Sequence, residues 1–299
     1  MEHLLQLIKE RGPLTGKDFV RETGLDIFEA WQFCASTPAV ITSIVGRRYL
    51  RLDQKVEAYA RLSPSIMREF LNYMVIGSAS QEQAIKKKAS TINGEIAAIS
   101  ARKIALARDT ITRLVENHRS GPEISARSCF IIAGDVVFGM AHAEPRPESS
   151  TGELVRGSDL DIITITDGLS PVLTEELDSI IYREKYSLLM NPASKEELDY
   201  LIKDLELVNQ QLKFDHFKAM VASKILAEGQ YLYGSEKIFN RVKELIRLNA
   251  VAEKIAILEE KAILDRKHAE AALLGAPKTA DREQLMALFY TTEEKEEIF

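Results

Sequence analysis

Apolar and polar positions change their period along the chain, and each change marks a different kind of element. HLLQLIKERG puts Leu4, Leu5 and Ile8 on one helical face. Thr15 is suited to cap a second helix, GKDFVRETG, that stops at Gly24. Asp26 is suited to cap a third, IFEAWQFCAST, that ends before Pro38. AVITSIVGRRYLRLD then alternates apolar and polar residues around Gly46 and Arg47, which predicts a β-hairpin. Residues 54–120 read as helix nearly throughout. SPSIMREFLNYMVIG is a short amphipathic piece. From Ser80 to His118 a long helix carries Ile92, Ile96, Ile99, Ile104 and Ile111 at helical spacing, with Gly94 as a candidate bend. HRSGPEIS breaks the pattern and sets a domain boundary.

From residue 126 to 235 the pattern alternates between strand and helix. RSCFIIAGDVVFG reads as a strand, a turn and a helix start, MAHAEPRPESSTGELVRGS as a long polar loop, and DLDIITIT as a strand. A helix begins after Ser170 and Pro171. SKEELDYLIKDLELVNQQLKFD reads as helix first, with a strand at QLKFD, and HFKAMVASKILAEG as a helix closed by Gly229. Residues 235–274 are strongly helical up to Gly275 and Pro277, and the tail is first apolar and then acidic. The expected architecture is α+β in four segments: a small N-terminal domain over 1–55, a helical connector over 56–124, a small mixed-sheet core over 125–235 and a helical region over 236–299. The long helices are a candidate homodimer surface.

Composition narrows the classes. The 299 residues are 45% hydrophobic and 28% charged, enough for at least one sizeable core. No apolar run is long enough for a membrane span, and the N-terminus lacks a signal-peptide layout, so a cytoplasmic protein is expected. Cys34 and Cys129 lie in apolar contexts and read as small core residues in a reducing compartment, not as a disulfide. The five histidines have no metal-ligand spacing. A formal charge of −6 excludes bulk polyanion binding and leaves only local basic patches, such as Lys86–Lys88, for any nucleic-acid contact.

The candidate chemistry begins at GSDLDIITITDG. Asp159 and Asp161 have strand spacing, so both side chains fall on one side. Two carboxylates held together repel each other, and a divalent cation between them removes the conflict. Mg²⁺ held by one or two carboxylates and completed by substrate phosphates is the usual solution. Upstream, Gly134 and Gly139 flank a turn between strand and helix, where backbone N–H groups can approach a phosphate.

Taken together, FIIAGDVVFG and GSDLDIIT resemble the two halves of the nucleotidyltransferase superfamily signature, the fold of DNA polymerase beta and of the minimal nucleotidyltransferases. The resemblance covers about residues 126–235. It departs from the family at Asp135, where the family has Ser, and in a longer loop between Gly139 and Asp159. The resemblance implies an enzyme that moves an NMP from an NTP to an acceptor hydroxyl. Asp159 and Asp161 would hold Mg²⁺ or Mn²⁺, and Gly134, Asp135, Gly139 and Ser158 would contact the nucleotide. It also implies a third metal-binding acid on a later strand, for which Asp215 in QLKFD is the candidate; a helix N-cap is its equal alternative. Arg156 and Lys218 are candidate phosphate contacts or solubilising charges, and His142 and His216 lie near the site in sequence without an assigned role.

Three helices and a hairpin over residues 1–53 resemble a winged helix. Its third helix has Asp26 and Glu29 and no Lys or Arg, against a DNA-reading role, while Arg47, Arg48 and Arg51 on the hairpin could reach a phosphate backbone. The acceptor is therefore open between RNA, protein and small molecules. A non-catalytic nucleotide-sensing regulator or DNA- or protein-binding module is the alternative to an enzyme.

Overall fold

Local capping fixes the first helices. In the computed structural model, which describes residues 2–148, 151–276 and 281–291, α1 (Glu2–Arg11) leads through β1 (Leu14–Thr15) into α2 (Gly16–Thr23). Thr15 and Asp18 form a reciprocal capping box: the Asp18 amide donates to Thr15 Oγ1 at 3.1 Å, and the Thr15 amide to Asp18 Oδ2 at 3.3 Å. Gly24 closes α2 with φ +66. Asp26 accepts from the amides of Phe28 and Glu29 at the start of α3 (Ile27–Ser36).

The expected hairpin does not form. Val40–Ile44 (β2) does not pair with Tyr49–Leu52 (β3). Instead β3 pairs with β4 (Ala60–Ser63), and β2 pairs antiparallel with β5 (Met74–Ser78), which follows α4 (Ile66–Tyr73). The three-stranded order is β1-β5-β2. Val75 and Ile76 of β5 are fully buried, so the most apolar strand takes the centre and draws β2 away from its sequence neighbour. β4 and β5 also replace helix in a stretch whose alternation was masked by neighbouring helical patterns. The long helix does form: α5 (Glu82–Glu116) runs 35 residues without interruption at Gly94.

The next segment holds a four-stranded sheet. After α6 (Gly121–Arg127) come β6 (Ser128–Ala133), a 3₁₀ turn at Asp135–Phe138, and a small hairpin of β7 (Pro145–Pro147) and β8 (Leu154–Arg156). β9 (Leu160–Thr166), α7 (Pro171–Met190), β10 (Leu198–Asp204), α8 (Leu205–Gln211), α9 (Phe217–Glu228), β11 (Gln230–Gly234) and α10 (Glu236–Leu248) follow. The sheet order is β10-β9-β6-β11, with β10 parallel and β6 antiparallel to β9. One face packs Phe130, Ile132, Leu160 and Ile162 against Ile111 of α5 and Leu177 and Ile181 of α7. The other packs Cys129, Ile131, Ile163 and Ile165 against Val208, Leu226, Val242 and Leu245 of α8, α9 and α10. Helices on both faces of one mixed sheet make this an α+β core.

Two expectations are corrected here. Strand precedes helix in residues 195–215, the reverse of the expected order, because Leu198, Tyr200 and Ile202 alternate with Asp199, Leu201 and Lys203 and pair along the whole of β9. Asp204 then caps α8, accepting from the Leu207 amide at 2.6 Å. No strand forms at QLKFD: Asp215 lies in the turn between α8 and α9.

The last elements are α11 (Val251–Gly275) and α12 (Arg282–Phe289). The chain divides into two compact units, one of Met1–Glu95 with Leu258–Phe299 and one of Ile96–Ile257. The divisions fall inside α5 and α11, not at residues 55, 124 and 235; of the expected helical end at Gly275 and Pro277, Gly275 is observed and Pro277 lies outside the described residues. Among the described residues no helix is long and apolar enough to cross a membrane.

In the first unit, Ile8, Phe19, Trp31, Phe70 and Ile76 share a core with Leu273 and Phe289. Beside it Glu69, 3% exposed, accepts from Arg48 Nη2 at 2.6 Å and lies 3.3 Å from Arg266 Nη2, while Arg48 and Arg266 also reach Glu270. Arg48 is therefore committed inside the unit and not offered on an exposed wing. Removing one member of a buried ion cluster leaves its partners desolvated and unmatched. Glu69→Ala is expected to cost about 3 kcal/mol in urea unfolding; an unchanged midpoint would refute the role given to the cluster.

Cys34 and Cys129 are buried free thiols, and burial pushes each up to about 12. At pH 8 neither is expected to react with a water-soluble aromatic disulfide in the native protein, and both should react in denaturant. Rapid native labelling of either would contradict the packing.

Candidate active site

One end of the four-stranded sheet gathers the polar groups. Here β6 finishes, and β9, β10 and β11 begin. In the parallel β9·β10 pair Asp161 stands opposite Asp199. One step before the pair register, Asp159 and Glu197 lead into Leu160 and Leu198, and the Leu160 amide donates to the Glu197 carbonyl at 2.9 Å. Aligned residues of neighbouring strands share a face, so the two strands present four carboxylates as two rungs.

Basic side chains answer both rungs. Arg146 of β7 pairs with Asp159, donates to Glu197 Oε2 at 2.8 Å, and donates from Nε to the Gly157 carbonyl at 2.9 Å. Lys185 of α7 donates to Asp199 Oδ1 at 2.6 Å. Glu197 is 6% exposed, so its charge needs a partner. Next to it Lys103 of α5, itself buried, pairs with Glu196 and donates to the Arg156 carbonyl at 2.8 Å.

The glycine turn is shaped around Asp161. Gly134 has φ +79 and ψ −163, a conformation open almost only to glycine. A Cβ at Gly134 would meet Asp161 Oδ2 at 2.2 Å, so the missing side chain is the space the carboxylate uses. Gly157, with φ +67, likewise admits the His142 carbonyl, which a Cβ would meet at 2.0 Å. The departure at Asp135 is absorbed locally: Ser158 Oγ donates to Asp135 Oδ2 and accepts from the His142 amide at 3.0 Å. Gly139, with φ +68, ends the 3₁₀ turn and donates to the Asp135 and Val136 carbonyls. Gly134, Asp135, Gly139, Ser158, Asp159 and Asp161 are thus brought to one place.

Asp215 is not among them. It is exposed, bonded through Oδ1 to His216 Nδ1 at 2.6 Å, and that bond holds its carboxyl below the usual range. His216 and not Asp215 is the N-cap residue of α9, and it makes no side-chain capping bond, so neither expected role is observed. The acid that stands beside Asp161 is Asp199. Its signal was the alternation in LDYLIKD, hidden because the following LELVNQQ is helical. Arg156 and Lys218 are exposed.

The other sheet edge is pinned by Lys243 of α10. Its ammonium donates to the carbonyls of Leu226, Ala227 and Gly229 at 2.8, 2.9 and 2.8 Å, closing α9. Burial lowers the affinity of this amine for its proton. Lys224 of α9 is buried and paired with Glu228, and its ammonium lies 5.5 Å from the centre of the Phe138 ring in the 3₁₀ turn.

Gly134→Ala is expected to destabilise the protein by about 1–3 kcal/mol, since it both strains the backbone and displaces Asp161; Gly94→Ala, with nothing near its Cβ, should be neutral or stabilising. Equal melting temperatures for the two variants would refute the tight fit at Gly134.

As to cations, among the described residues no three His, Cys, Asp or Glu side chains are gathered as a binding cluster. The carboxylate oxygens of Asp159, Asp161 and Asp199 are nevertheless hard donors of the kind a divalent ion takes, with Asp159 and Asp199 paired here to Arg146 and Lys185. Comparison of the chain with protein-family models, curated proteins and solved structures finds no match.

Proposed function

We propose that residues 96–257 are a metal-dependent nucleotidyltransferase core that moves an NMP from an NTP to an acceptor hydroxyl. The observation that carries this reading is the alignment of Asp199 with Asp161 across a parallel strand pair, next to the SDLD strand and the Gly134 turn. Three carboxylates on one face at a strand end are costly unless their charge serves a cation. Asp159 and Asp161 would hold Mg²⁺ or Mn²⁺, with Asp199 in place of Asp215 as the third acid. The ion, when bound, supplies Lewis-acid charge neutralisation at the phosphates.

The chain's own residues supply position. The Gly134 turn would offer backbone amides to a phosphate, the Gly139 amide excepted, which is bonded within the turn. Asp199 would accept the proton of the attacking hydroxyl, its geometry set by the β9·β10 ladder. Such chemistry asks the protein for alignment and electrostatics more than for covalent steps. The first unit, whose α1-β1-α2-α3-β2 run and β1-β5-β2 sheet are compatible with a winged-helix-like module, supports a macromolecular acceptor, RNA or protein.

A second reading rests on a specific observation. Arg146 and Lys185 pair with Asp159, Glu197 and Asp199 and offset two of their three negative charges, an arrangement that suits a nucleotide-sensing regulator without catalysis.

The two separate in a transfer assay with each α-labelled NTP, Mg²⁺ or Mn²⁺, and total cellular RNA and protein as acceptors. Asp199→Asn is expected to lower transfer roughly a hundredfold or more, while Asp215→Asn leaves it unchanged. Nucleotide binding without transfer by the wild type would favour the regulator. Full activity in Asp199→Asn would remove the third acid from the scheme.

A further inference from the structure

The insertion between the Gly134 turn and the SDLD strand has a part in the site that the transfer reading does not use. It folds as the β7·β8 hairpin, with Arg146 and Val155 in register. Three ties hold it to the start of β10: Arg146 to Glu197, Lys195 Nζ to Glu153 Oε2 at 2.7 Å, and the Arg156 amide to the Lys195 carbonyl at 2.8 Å. Arg146 is itself largely buried, with 13% of its side chain exposed, and its guanidinium spans the first carboxylate rung.

We infer that Arg146 is an internal cation latch that competes with a divalent ion for Asp159. The guanidinium carries one positive charge and offers its fork to carboxylates as they stand. Arg146 holds Asp159 Oδ1, the oxygen that a divalent ion on the first rung would also take. The two therefore exclude each other, and taking up the ion requires Arg146, and with it the hairpin, to lift. Glu197 holds Arg146 in place, since it is buried and gains its own partner from the same group. The latch offsets one of the rung's two negative charges in the free protein and makes ion uptake depend on moving the hairpin.

The inference rests on the proposed metal-dependent reading, so its test does not use activity. Mn²⁺ binding to the full chain is measured by electron paramagnetic resonance and calorimetry without nucleotide. Arg146→Gln is expected to bind Mn²⁺ roughly tenfold more tightly than wild type, and Arg146→Lys, which keeps the charge, to stay near wild type. The gain must vanish in Arg146→Gln/Asp161→Asn. Thermal unfolding of each variant checks that it is folded, and hydrogen exchange at residues 151–156 is expected to quicken when Mn²⁺ is added to wild type. Equal Mn²⁺ affinity in wild type and Arg146→Gln overturns the latch, even where transfer is observed. So does a gain that survives Asp161→Asn. A gain that is lost in the double variant, with no transfer by any protein, keeps the latch and refutes the transferase.

Discussion

Electrostatic repulsion between carboxylates on adjacent parallel strands is the constraint around which the second unit is organised. The β9·β10 ladder puts Asp161 against Asp199 and leaves Asp159 and Glu197 just outside it. Such a row tolerates ionisation only with positive charge close by. Arg146, from a hairpin, and Lys185, from α7, provide it. The loops and the helix that bring these two cations are thus tied to the strand end, and so is the glycine whose missing side chain makes room for Asp161.

The first unit solves a related problem with the opposite emphasis. Glu69 is a single buried acid surrounded by two guanidinium groups, with Glu270 sharing both. There the cations come from β2–β3 and from α11, and both acids sit on helices, Glu69 on α4 and Glu270 on α11. Buried ion clusters of this kind fix geometry more than they add net stability. The contrast helps separate a structural cluster from a candidate site: Glu69 is a lone acid closed in by two guanidinium groups, whereas the strand end sets several carboxylates side by side.

How much of this could be read from the residues depends on range. Features set within a turn of chain were legible: the caps at Thr15 and Asp26, the stop at Gly24, the helix beginning near Ser170, and the strand opened by Asp159 and Asp161, whereas α5 runs on through Gly94, where a bend was expected. Features set by partner choice were not. Alternation in residues 40–52 predicts extended chain but not that β2 would prefer the buried β5 to its neighbour. The third acid failed for the same reason. Asp215 follows an apolar-polar alternation too short to compete with the helices on either side, whereas Asp199 belongs to a seven-residue strand whose pairing decides it. Arg146, the residue that engages the first rung, carries no local signal at all, since a lone arginine in a polar loop looks like any other.

Lys243 bears on how an anionic ligand would meet this end of the sheet. Helix α9 ends there, and a helix C-terminus presents the negative pole of its dipole. Its last carbonyls, left bare, would add to the field of the nearby carboxylates and push polyphosphate away. With all three ammonium hydrogens directed at those carbonyls, Lys243 cancels that pole from within the protein. The long-range potential met by an approaching anion is then set by the acids and their cation partners, and a change in whichever cation sits on them alters capture rate as well as affinity.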